Sequence, residues 1–136
     1  MDNKNNTGIY NTGRGNAGHG NAGHGNTGDR NTGRGNVGHC NTGNWNAGDR
    51  NAGDSNTGRG NAGDSNTGNW NAGDKNAGRG NAGDSNTGHC NAGSWNAGSW
   101  NAGDNNAGSW NSGRGKVGFF NTIIPKNIIR RNKLWN

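Results

Sequence analysis

The chain has 136 residues, enough for one domain, yet only 24% of them are hydrophobic and 30 are glycine. A conventional core of Leu, Ile and Val cannot be assembled from residues 1–115, which excludes an ordinary globular fold. The net charge of +6 is uneven: residues 1–115 hold nine Lys/Arg against eight Asp, whereas residues 116–136 hold five basic residues and no acid.

In chain order, residues 1–5 are a short polar lead-in, and residues 6–120 are one five-residue motif, Asn-(Thr/Ala)-Gly-x-x, written 23 times without insertion or deletion. Glycine holds the third position in every copy and asparagine the first in all but the last, where Lys116 stands. Such a composition ordinarily leaves a chain disordered. The strict phase and the six tryptophans argue instead for a solenoid in which each copy has an equivalent place. A glycine every fifth residue excludes helix, and a single proline, Pro125, excludes collagen.

The fourth and fifth positions carry Arg14, Asp29-Arg30, Asn69-Trp70 and Asp74-Lys75, so both face solvent or a partner. Strand alternation then turns Asn and Gly inward and Thr/Ala outward. Asparagines stacked at about 4.8 Å would hydrogen-bond along ladders, which satisfies buried amides. The competing arrangement buries Thr/Ala and exposes Asn.

This repeat resembles that of the pentapeptide-repeat proteins in a glycine/asparagine-rich form. The resemblance covers about 115 of the 136 residues. It implies an all-β, right-handed, quadrilateral parallel β-helix with about 20 residues per coil. The chain departs from the main family pattern by placing Gly where that pattern has an inward Leu or Phe. A 20-residue coil also fits the pairs Arg14-Gly15/Arg34-Gly35, Asp29-Arg30/Asp49-Arg50, Arg59-Gly60/Arg79-Gly80 and Asp64-Ser65/Asp84-Ser85, each repeated at that lag. Nearly six such coils make a rod of about 28 Å at 4.8 Å per coil.

Folded onto 20-residue coils, the variable positions give three stripes: His19, His39, Arg59, Arg79; His24, Asn44, Asp64, Asp84, Asp104; and Tyr10, Arg30, Arg50, Trp70, Cys90, Trp110. Basic and acidic stripes on neighbouring faces suit lateral packing of rods. Trp45, Trp70, Trp95, Trp100 and Trp110 all fall at the outward fifth position. Aromatic residues are enriched at interfaces, so these mark an assembly surface. Residues 121–136 form a hydrophobic and basic segment that caps the solenoid or docks a partner. With the last repeat, this end contributes Phe119, Phe120, Ile128, Ile129, Arg130, Arg131, Leu134 and Trp135 as interface candidates.

No nucleophile, base and acid converge, so no catalytic site and no cofactor are expected. His39-Cys40 and His89-Cys90 fall on opposite faces of a four-sided coil, short of a metal ligand set. Cys40 and Cys90 would lie about 12 Å apart along it, beyond disulfide reach. The opening residues carry no signal sequence and no apolar run spans a bilayer, which favours a cytoplasmic or virion-associated setting. The sequence therefore reads as a non-enzymatic structural rod that associates with itself into a filament or a larger assembly such as a virus particle. The alternative is a binding module for nucleic acid or another anionic partner, using Arg, Trp and the basic tail.

Overall fold

The computed structural model describes residues 5–121. The candidates Ile128, Ile129, Arg130, Arg131, Leu134 and Trp135 lie outside the described residues. Every strand is three residues long and spans positions two to four of a repeat. Strands β1 (Thr12–Arg14), β2 (Ala22–His24), β3 (Thr32–Arg34) and β4 (Thr42–Asn44) form one parallel sheet. Eight more, from β5 (Ala47–Asp49) to β12 (Val117–Phe119), form a second. Isolated bridges extend both columns: Thr7–Ala17–Thr27–Val37–Ala47 continues the second sheet, and Thr42–Ala52 onward to Ser112 continues the first. All pairing is parallel, so the chain is an all-β solenoid of about 11 turns.

The register corrects the expected coil. Thr12 pairs with Ala22, Gly13 with Gly23 and Arg14 with His24, and the same offset of ten residues holds throughout. One coil is therefore two repeats, a flattened loop with two strands and two turns, and not four repeats around a square. At about 4.8 Å per coil, about 11 turns give a rod near 53 Å, twice the expected length.

The ten-residue coil closes because nothing large sits inside it. The described core contains no buried hydrophobic side chain; the buried residues are asparagines, Asn16 to Asn111, each 0–2% exposed. Thr and Ala at position two point outward, which rejects the arrangement with exposed asparagine. At position three the glycine is required twice over. Gly58 has φ +117°, and a Cβ there would lie 1.9 Å from the carbonyl oxygen of Gly68 in the next coil.

The asparagines are joined mainly to backbone, not to each other. Asn56 shows the pattern. Its Nδ2 donates to the carbonyl oxygens of Ala52 (3.4 Å) and Gly63 (2.7 Å), and its Oδ1 accepts from the backbone N–H of Asn66 (3.0 Å). Amide-to-amide contacts occur only as extras, for example Asn71 Nδ2 to Asn61 Oδ1 at 3.2 Å. Among the described residues no buried side-chain nitrogen or oxygen lacks a partner. Satisfied in this way, a polar interior can replace an apolar one.

Candidate functional site

With the interior uniform, any specificity lies at positions four and five. Position five is the turn, and its residue takes the left-handed conformation whether or not it is glycine: φ is 60° at Cys40, 58° at Trp45 and 59° at Trp70. β-Branched residues tolerate that region worst, and Val, Ile and Thr are absent from position five in all 23 copies. The conformation throws the side chain away from the rod, so the two turns of each coil generate two outward edges.

Ten-residue coils redistribute the predicted stripes. Trp70, Trp100, Trp110 and Phe120 share one edge with Tyr10, while Trp45 and Trp95 occupy the opposite edge. The five tryptophans are 45–66% exposed, and Phe119 and Phe120 are 64% and 63% exposed. On the first edge Trp100 and Trp110 stack with ring centroids 5.2 Å apart and planes 8° from parallel. Trp110 stacks in turn on Phe120 at 5.7 Å, and Phe119 meets Phe120 edge-on at 4.6 Å. The result is a continuous exposed aromatic ladder running to the last coil. Trp70 stands apart from it across a shallow recess of about 490 Å³ that Arg79, Gly80, His89 and Cys90 also line.

Two tryptophans are built differently. Each lies back over the coil before it, where position five is glycine: a Cβ on Gly35 would meet the Trp45 ring at 2.5 Å, and one on Gly60 would meet the Trp70 ring at 2.7 Å. The preceding arginine completes the arrangement, with the Arg34 guanidinium 5.5 Å from the Trp45 ring and that of Arg59 5.8 Å from the Trp70 ring. Arg34 and Arg59 were expected among the arginines of the nucleic-acid alternative and not among the named assembly-interface candidates. Their signal was in the sequence, since Arg34-Gly35 and Arg59-Gly60 are each followed ten residues later by Asn-Trp.

Position four has a second task. In many coils its backbone N–H is capped by the position-four side chain of the next coil: Arg34 N–H by Asn44, His19 N–H by Asp29, and Asp84 N–H by the Ser94 hydroxyl. The run Asp54, Asp64, Asp74, Asp84 is formed in this way, each Oδ1 accepting from the residue ten before it at 2.7–2.9 Å. Basic and acidic residues, expected on neighbouring faces, instead share one column: Arg14, His24 and Arg34 precede Asn44 and that aspartate run.

Cys40 and Cys90 are free and lie on the same edge, five coils or about 24 Å apart. The separation of 12 Å on a square coil does not apply, nor does the placement of His39 and His89 on opposite faces. His39 Nδ1 approaches Asp29 Oδ2 at 3.7 Å beside a shallow recess of about 510 Å³. Among the described residues no group of three His, Cys, Asp or Glu side chains is placed to hold a metal ion.

A parallel solenoid with a five-residue period, built on an inward position-one side chain and turns at position five, defines a class of repeat protein. The family described as pentapeptide repeats (8 copies) matches residues 4–34, 30–71, 55–94 and 85–122. Together these matches span the whole repeat tract, and the chain belongs to that family. No curated protein matches it. The solenoid makes it a structural repeat protein.

Proposed function

We propose that this protein is a non-enzymatic, rigid rod that associates with itself into a filament or larger particle. The observation that carries this reading is the Trp100–Trp110–Phe120 ladder, three stacked and exposed rings on a straight edge. Apolar area left open on a small rod favours burial against another molecule. A second copy offers an edge with the same coil spacing. The rod supplies stiffness through its hydrogen-bonded interior, and the edges supply contact. Residues 121–136, which follow the ladder in sequence, are an apolar and basic segment.

Light scattering on the intact chain and on W100S/W110S tests this, because serine already occupies position five at Ser55 and Ser65 with the same φ of 60°. The intact chain is expected to form large species and the variant to lose them. A monomeric intact chain at high concentration would reject the reading. A binding module for nucleic acid is the second reading, favoured by the Arg34–Trp45 and Arg59–Trp70 pairs. Affinity that falls steeply with salt would support it; aromatic association is insensitive to salt.

A further inference from the structure

The column of position-four side chains on the β1–β4 face carries opposite charges in mirrored order. From the N-terminal end it reads Arg14, His24, Arg34, Asn44, then Asp54, Asp64, Asp74, Asp84, and beyond this mirrored block it continues as Ser94, Asp104 and Arg114. The four carboxylates stand on successive coils, about 4.8 Å apart. Among the described residues none has a Lys or Arg ion-pair partner. Each uses Oδ1 to cap a backbone N–H; Asp54 Oδ2 also accepts from the Asn44 amide at 3.4 Å, while Asp64, Asp74 and Asp84 are exposed and make no hydrogen bond through Oδ2 among the described residues. Stacked like charges repel, so the column lacks its counterions within the chain.

We infer that the counterions come from a second copy of this chain, laid antiparallel on this face about a two-fold axis between Asn44 and Asp54. That operation sets Arg14 against Asp84, His24 against Asp74, Arg34 against Asp64 and Asn44 against Asp54. The two-fold repeats every pair, so eight consecutive coils are matched. Both columns have the spacing of the same parallel sheet, so a match at one rung holds at the others. The operation also fits the relief of the face. A two-fold axis perpendicular to the rod lays column four on column four and column two on column two. A flat parallel arrangement would cross them.

Across the eight paired coils column two reads Thr12, Ala22, Thr32, Thr42, Ala52, Ala62, Ala72 and Ala82, all exposed, and the two-fold sets each threonine against an alanine. Such small side chains allow the charged pairs to approach. Arg34 keeps a free guanidinium edge while its face rests on Trp45. The inference rests on the self-association reading and names one of its interfaces; both edges stay open for the aromatic contacts.

Charge reversal tests it on the full chain, with residue types already present at position four. By analytical ultracentrifugation, R14D/R34D and D64R/D84R are each expected to pair about tenfold more weakly or worse than the native chain. An equimolar mixture of the two is expected to recover heterodimers. Orientation is read with cysteines on a C40S/C90S background. N44C mixed with D54C is expected to give a disulfide-linked dimer, and N44C mixed with A82C, the column-four-on-column-two match for parallel rods displaced by four coils, is not. Undiminished association of the charge-reversed chains, no recovery on mixing, or linkage only between N44C and A82C would overturn the pairing and leave self-association standing. A native chain that stays monomeric would overturn both.

Discussion

The inside and the outside of this rod solve the same problem with the same device, under opposite constraints. In both places a side-chain acceptor caps a backbone N–H on an adjacent coil. Inside, the Oδ1 of Asn56 takes the N–H of Asn66; outside, the Oδ1 of Asp64 takes the N–H of Asp54. The interior position must also donate two hydrogen bonds to carbonyl oxygens, as Asn56 does to Ala52 and Gly63. Of the side chains this size, only asparagine carries one acceptor and two donors. The exterior position has water as a substitute partner, so Asp, Asn, His, Ser and even Arg occur there. Uniformity of the core and variety of the surface therefore follow from access to solvent.

The largest effect expected from breaking this comparison is N56D. It keeps shape and acceptor, removes both donors and leaves a buried charge facing two carbonyl oxygens. A loss of about 3 kcal/mol or more is expected, read from chemical denaturation. Next is G58A, which drives a Cβ into the carbonyl of Gly68 at a backbone angle that alanine avoids; about 2 kcal/mol or more is expected from the same measurement. Truncating the middle of the aromatic ladder, W110A, should remove about 1 kcal/mol of stacking along with the scattering signal of association. The smallest change has the opposite sign. D64N retains the acceptor, as Asn44 and Asn69 show, and interrupts the run of like charges. A gain of about 0.3 kcal/mol is expected for the dissociated chain, at low protein concentration and low salt, shrinking as salt is added. Asn→Asp inside and Asp→Asn outside thus move stability in opposite directions for the same two atoms exchanged.

Much of the architecture was legible in the sequence because the repeat phase is strict. Variable residues at positions four and five had to face out, and alternation then turned Asn56 and its equivalents inward. The number of repeats per coil was not legible in that phase, since a five-residue period closes after two repeats or four. The matches at a lag of 20 residues also obey a ten-residue coil. The informative signals were subtler: Asp54, Asp64, Asp74 and Asp84 recur every ten residues, and Arg34-Gly35 and Arg59-Gly60 each precede an Asn-Trp by ten. The inward asparagine was correctly placed, but its partners were expected to be other amides. Backbone carbonyls take that role because the narrow coil brings Gly63 within 2.7 Å of the Asn56 amide. The exposed tryptophans were legible as a group. Their division between two edges, with Trp100, Trp110 and Phe120 stacked and Trp45 and Trp70 backed by arginine, depended on the coil length.

The most direct test of the central claim, a narrow rod built to associate with copies of itself, is negative-stain electron microscopy of the intact chain. The account predicts filaments or particles made of thin rods near 53 Å long, about 11 coils at 4.8 Å each. Isolated single molecules across the accessible concentration range would contradict it.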